Sequence, residues 1–370
     1  MKTYQEKKWI WQSKDFGNFY FDKFDLSKIY YKFGKLSALS QMIEKKDEDK
    51  VILDIFEDEA FSTFAIEGEF LNRSSVRSSI NKILKLGFEN DYNYTRSSDE
   101  LVEVLLDAKT SKLPLTKEKL LYWHRAILQN YSGIKEVKIG QFRETKEDMK
   151  IVSGPWEKEK IHYIAPPSRD VEKLMESFFR FVNSSNEEII YKAIVTHLYF
   201  VLIHPFEDGN GRVARVLTDF VLSQSDLINA KFYSISSVIY KKRREYYEVL
   251  DKVCKQTNQD ITLWVEWFIK LLEESIDETF KRVEIVQIKT KFWQKHINTK
   301  LNDRQKKVIL KMLEKLPDKF EGGMRTKKYA SLTKATKLTA SRDLSDLVKK
   351  GVLKSFGSGR GVYYELLLDL

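Results

Sequence analysis

The chain has 370 residues, 42% apolar and 13% aromatic, which is enough for sizeable cores in two or three domains and excludes wholesale disorder. Cys254 is the sole cysteine, so an internal disulfide framework and a thiolate zinc cluster are excluded; no run of about 18 apolar residues could span a membrane, and no apolar leader core follows Met1–Lys8, so a cytoplasmic location is expected. The net charge is +10, and residues 298–370, with 17 basic and 8 acidic side chains, carry +9 of it, which points to an anionic partner for that segment.

Residues 1–45 are rich in aromatics, among them Trp9, Trp11, Phe16, Phe19 and Phe24, and are expected to form a small cap packed on the body of the chain. Residues 46–285 read as a mainly α body, because glycine and proline are scarce and apolar residues recur at helical spacing. An acid-rich helix through Glu57, Asp58 and Glu59 is expected to run to Gly68, a helix-ending residue, which puts Glu67 at the negative end of that helix. Strand signals around 150–152 and 161–164 flank Ser153-Gly154-Pro155 and predict a β-hairpin. Ile190, Ala193, Ile194, His197, Leu198 and Val201 form one helical stripe, and Val213, Val216, Leu217 and Phe220 another.

Between those stripes lies His204-Pro205-Phe206-Glu207-Asp208-Gly209-Asn210-Gly211-Arg212-Val213-Ala214-Arg215. Pro205 disfavours helix at His204 and should stop the incoming helix there. Gly209-Asn210-Gly211 can adopt positive φ, so successive N–H groups can face one concavity, and a helix starting near Arg212 adds its positive end. Arg212 and Arg215 share a face and can both reach phosphate oxygens. Asp208 suits Mg²⁺ beside phosphates, and His204 suits proton abstraction near neutrality. Each feature alone also reads as an ordinary loop, helix end or solvated face; their concentration within twelve residues favours the anion site.

This run resembles the Fic-domain signature, His-x-Phe-x-(Asp/Glu)-Gly-Asn-Gly-Arg-x-x-Arg, at every specified position, and similarity of pattern extends from about Glu57 to Leu271. The resemblance implies a Fic helical bundle with a hairpin flap, and transfer of AMP from ATP to a Tyr, Thr or Ser hydroxyl of a target protein, self-modification included, with release of pyrophosphate. It implies that His204 is the general base, that Phe206 anchors the loop and that Asp208 holds Mg²⁺. The amides of Gly209, Asn210 and Gly211 would cradle the α- and β-phosphates, with Val213 and Ala214 completing the nucleotide-binding run. Arg212 would meet the β-phosphate and Arg215 the γ-phosphate. Relatives resembling the Doc toxin carry Lys at the position of Gly211 and phosphorylate their targets, so Gly211 favours nucleotidyl transfer. The hairpin resembles the family's flap, with Ile151, Val152, Ser153 and Gly154 near the nucleotide, extra residues at 156–160, and the target docked along 151–164. Tyr246 and Tyr247 resemble a pair that flanks the adenine; taken alone they read as core aromatics.

Thr63, Glu67 and Gly68 match the family's inhibitory motif, (Ser/Thr)-x-x-x-Glu-(Gly/Asn). The resemblance implies that Glu67 pairs with Arg215 in place of the γ-phosphate and keeps the enzyme largely off; in some relatives the same glutamate helps remove AMP, which leaves a de-AMPylase as an alternative. In the basic tail, 286–370, a linker helix, three helices and a small hairpin resemble a winged helix, with Arg342 on its recognition helix and Arg360 at the wing tip; DNA is one expected partner and protein or homodimer contacts another. A nucleotide-sensing DNA-binding regulator is the alternative from a different class. No transition-metal site is expected from His124, His162, His204 and His296, and His197 reads as a core histidine.

Overall fold

The computed structural model describes residues 9–86, 88, 94–131, 136–153, 160–316, 320 and 322–368, and the secondary structure there is mainly helical. Gly154 and residues 155–159, the tip of the expected flap, lie outside the described residues. The chain divides into two compact units, Met1–Thr279 and Phe280–Leu370, and the division falls inside one long helix.

The first unit begins with an extended, aromatic-rich segment. Trp11 donates its indole N–H to the carbonyl of Ile164 at 2.6 Å, and Gln259 donates to the carbonyl of Ile10 at 3.0 Å, so the segment is stitched to the body by buried polar contacts. Helices α1 (Ser27–Met42), α2 (Lys45–Ala65), α3 (Arg73–Leu84), α4 (Arg96–Thr110) and α5 (Lys117–Ile127) come after it. Helices α3, α4 and α5 are each N-capped by a side chain, from Asn72, Thr95 and Thr116, which satisfies one otherwise orphaned N–H at each start. Strands β1 (Lys150–Ser153) and β2 (Lys160–Ile164) pair antiparallel with a register irregularity between Ile151 and Val152, so the expected hairpin is present.

Helices α6 (Ser168–Ser184), α7 (Ile189–Ile203) and α8 (Asn210–Ser223) come next. Nearly every residue of α7 and α8 is buried, which makes this antiparallel pair the centre of the unit. Helix α4 packs on α8 as well, and the Lys109 ammonium meets the Asp219 carboxylate at 2.6 Å with both side chains out of solvent. Such a pair requires its additional partners; Lys109 also donates to the carbonyls of Ala230 and Tyr233. Helices α9 (Ile235–Lys241), α10 (Arg243–Cys254) and α11 (Thr262–Lys295) complete the unit and lead out of it.

The second unit contains α12 (Asp303–Leu313), α13 (Thr326–Thr333) and α14 (Lys337–Lys349), then strands β3 (Leu353–Phe356) and β4 (Tyr363–Leu366), paired antiparallel. Its own core joins Phe292, Val308, Met312, Tyr329, Leu344 and Leu353. Asp343, nearly buried there, accepts from Arg304 at 2.8 Å and from the Tyr329 hydroxyl at 3.0 Å. Among the described residues, no helix is long and apolar enough to cross a membrane.

Candidate active site

The α7–α8 turn is built from the inside out. His204 ends α7 with φ +53°, a left-handed conformation in which its N–H still donates to Phe200 at 3.0 Å, and Pro205 prevents any further turn of helix. Gly209 has φ +80° and starts α8, so the helix begins at Asn210, two residues before the expected start near Arg212. The expectation of three consecutive positive-φ residues is thereby corrected: Gly209 needs φ freedom, whereas Asn210 and Gly211 are ordinary first-turn residues. Gly211 instead lies close against the Glu67 side chain. A Cβ there would lie 2.5 Å from Glu67 Oε1.

Asn210 holds the turn closed. Its Oδ1 accepts from the Phe206 N–H at 3.0 Å, and its Nδ2 donates to the Phe206 carbonyl at 2.8 Å. Phe206 is fully buried and stacks on the His124 ring, with 3.7 Å between centroids. His124 accepts from the Gly140 N–H at Nδ1, 2.9 Å, so Nε2 carries the hydrogen that it donates to the Asp208 carbonyl at 3.0 Å. That arrangement requires a neutral ring, and burial pushes the His124 pKa down to about 4.

His204 is held in the complementary tautomer. Its Nδ1 lies 3.2 Å from the Val201 carbonyl, which can only accept, so Nδ1 bears the hydrogen and Nε2 keeps its lone pair. Burial holds its pKa down at about 4, and the ring is neutral at physiological pH. The main chain around it is fixed by Arg143, whose side chain donates to the carbonyls of His204 at 2.7 Å and of Pro166, and whose N–H donates to Pro205 at 2.9 Å. Arg143, 2% exposed, therefore caps the end of α7 and ties the chain just after β2 to the α7–α8 turn.

The two arginines of α8 point to one place and are already engaged. Arg215, 1% exposed, donates from Nε to the Thr63 hydroxyl at 2.7 Å and from Nη2 to the Thr63 carbonyl and to Glu67 Oε1, each at 2.8 Å. Arg212, 2% exposed, donates to Glu69 at 2.9 Å and to Asp208 at 3.0 Å. Arg212 Nε and Arg215 Nη1 are buried donors with no hydrogen-bond partner among the described residues. Such donors are costly to leave unmet. Glu67 reaches its place because α2 ends at Ala65 and Gly68 takes φ +87°, turning the chain so that the Glu69 N–H returns to the Phe64 carbonyl at 3.1 Å. Gly68 thus lies three residues beyond the end of α2, not at its last turn. Arg143, His124 and Glu69 were not found as site residues from sequence; a charged residue inside Gly140-Gln141-Phe142-Arg143 was the available signal for the first.

The other expected residues fall differently. The side chains of Val213 and Ala214 are in the core, and the Val213 N–H already donates to Gly209. Tyr246 is 1% exposed, and its hydroxyl meets His197 Nε2 at 3.0 Å; His197 meets Thr218 through its other nitrogen. Tyr247 is the member of that pair at the surface, with its hydroxyl 3.5 Å from Glu67 Oε2. On the hairpin, Ile151 is half-buried and Val152 and Ser153 are exposed. Ser153 bonds His162 Nε2 at 2.6 Å, and His162 Nδ1 lies 3.3 Å from Asp251 on α10, so the hairpin is latched to that helix. Asp208 is a partly exposed carboxylate beside the buried guanidinium donors. It fits a hard cation that brings most of its ligands as phosphate oxygens and water.

Residues 114–222 match the Fic/DOC family, and residues 9–86 match a domain of unknown function, DUF4172. A protein adenylyltransferase Fic from Nematostella vectensis is 26% identical over 219 residues, 58% of this chain and 46% of that protein. A probable protein adenylyltransferase from Aquifex aeolicus is 30% identical over 142 residues, 38% of this chain and 40% of that protein. The chain thus spans less than half the length of either relative. A crystal structure of a Fic family protein from Desulfovibrio desulfuricans superposes with a TM-score of 0.51 at 16% identity, covering 93% of this chain and 97% of its own. A Fic domain containing signaling protein from Bacteroides thetaiotaomicron does so at 0.51 and 19%, covering 70% and 97%. With the signature residues gathered in one turn and the fold shared, this chain carries a Fic domain.

Proposed function

We propose that the chain is a protein adenylyltransferase that is restrained in its resting state by Glu67. The observation that carries this reading is the pairing of a neutral His204, its Nε2 lone pair bare, with two buried arginines that still own unmet donors. ATP is the substrate and a protein hydroxyl the acceptor. The hydroxyl oxygen bonds to the α-phosphorus, its proton passes to His204 Nε2, and the α–β bridging bond breaks with its electrons leaving on pyrophosphate. Arg212, Arg215 and the first-turn amides of α8 stabilise the charge that builds on the phosphates. Mg²⁺, held at Asp208 with the phosphates, would supply further charge neutralisation.

Glu67 occupies Arg215 at 2.8 Å, the donor that a γ-phosphate would use, and this supports an intramolecular brake. The test uses α-labelled ATP and Mg²⁺ with wild type, Glu67→Gly, and Glu67→Gly combined with His204→Ala. Protein-bound label is expected to rise in the first variant and to fall by roughly 10²–10⁴ in the second, the usual worth of a general base. Equal labelling by wild type and Glu67→Gly would remove the brake; no label from any variant, with ATP still bound, would favour removal of AMP over its transfer.

A further inference from the structure

We propose that Glu69 is a specificity-determining residue: it holds Arg212 and so sets how strongly the site takes a polyphosphate, separately from the hold of Glu67 on Arg215. The pairing is one to one. Glu69 Oε2 lies 2.9 Å from Arg212 Nη1, and Glu67 Oε1 lies 2.8 Å from Arg215 Nη2. Asp208 takes the remaining Nη2 of Arg212 at 3.0 Å. Two cationic side chains in the first two turns of α8 are therefore engaged by three carboxylates, each of which competes with an entering anion.

The two members of the Glu69 pair differ in exposure. Arg212 is almost wholly buried, under the Phe64 ring and against Asp208, while the Glu69 side chain is 46% exposed. Glu69 can swing into water and keep its solvation, whereas Arg212 stays where it is. A carboxylate on a fixed guanidinium with one edge in solvent is a displaceable stand-in for a phosphate oxygen. The backbone holds it at that station, since Gly68 at φ +87° sends the chain back so that the Glu69 N–H reaches the Phe64 carbonyl. Glu67 and Glu69 thus leave one turn two residues apart and contact two different arginines. An incoming ligand meets each carboxylate only if it carries a phosphate at that station, so the number of phosphates, not the base, decides how many pairs must open. This inference takes from the proposed function only that the ligand is a phosphate chain.

The test is calorimetric binding of inorganic pyrophosphate and of AMP to the full chain as wild type, Glu69→Gln, and Glu69→Gln with Arg212→Ala. Glu69→Gln keeps the shape and removes the charge; it should bind pyrophosphate about tenfold more tightly than wild type, the worth of one freed charge-assisted contact, with AMP affinity within about twofold. The Arg212→Ala change should cancel the gain. Equal pyrophosphate affinity in wild type and Glu69→Gln overturns the proposal, as does a parallel shift for AMP, which would mark a general change of structure. If pyrophosphate tightens in Glu69→Gln while Glu67→Gly, freed of its brake, transfers no AMP to protein, the assignment of Glu69 stands and the adenylyltransferase reading falls.

Discussion

The α7–α8 turn and the β1–β2 hairpin both flank the candidate site, and they are held by different means. In the turn, buried side chains that shape the backbone make paired hydrogen bonds: Asn210 with both ends of the Phe206 peptide, His124 with Gly140 and Asp208, Arg143 with the carbonyls that close α7. The hairpin is anchored on the β2 side, where the buried Tyr163 hydroxyl donates to Leu202 at 2.7 Å and Trp11 donates to Ile164. Its outer end relies on ladder bonds and on a half-buried His162 between Ser153 and Asp251. A turn over-determined in this way can hold a histidine at positive φ and two guanidinium groups with unmet donors without relaxing. The outer end of the hairpin, tied by a few partly water-accessible contacts, can open at less cost than the turn.

The difference can be measured first through acid. His124 is neutral in the folded chain, with a pKa of about 4 against 6.5 when unfolded, so the unfolded chain binds more protons between those values. Its contribution is intact above pH 6.5 and is lost as pH falls through 4, about 3 kcal/mol in total for this one ring. Denaturant titrations across that window should show the loss, and His124→Phe should reduce the pH slope by one proton; His204, lowered to a similar value, keeps its own share. An unchanged slope would mean that the ring titrates freely and does not hold the turn.

Next is Asn210→Ala. It leaves the Phe206 N–H and carbonyl unmet in a buried place, which should cost about 2 kcal/mol by chemical denaturation and also loosen nucleotide binding. A loss below about 0.5 kcal/mol, within the range of ordinary surface substitutions, would mean that Gly209 and Pro205 shape the turn unaided. The smallest effect belongs to the hairpin: His162→Ala should change global stability by less than about 1 kcal/mol while speeding amide exchange at Val152 and Ile161. A global loss as large as that of Asn210→Ala would erase the distinction between the two regions.

The helical class, the hairpin at 150–164 and the density of chemistry at 204–215 were legible in the sequence. Each depends on neighbours along the chain: apolar period, a proline after a histidine, glycines close together. Helix α8 starts two residues earlier than expected, because glycine at 211 signals loop when read alone, whereas in the fold it is a first-turn residue beside the carboxylate of Glu67, 144 positions earlier. His124 and Arg143 stayed hidden for the same reason, since their partners are the backbone of a turn 60 or more residues away.

By itself the sequence determined which residues cluster as a candidate site, because a histidine, a carboxylate, glycines and paired arginines at fixed spacing are local facts of one turn and one helix face. Only the tertiary structure decided their state. It chose the tautomers of His124 and His204 through carbonyls and an amide around each ring, buried Tyr246 against His197 while leaving Tyr247 at the surface, and set Glu67 and Glu69 on separate arginines. Burial and ion pairing are properties of what lies opposite, and two segments nearly 150 residues apart acquire an opposite side only when the chain folds.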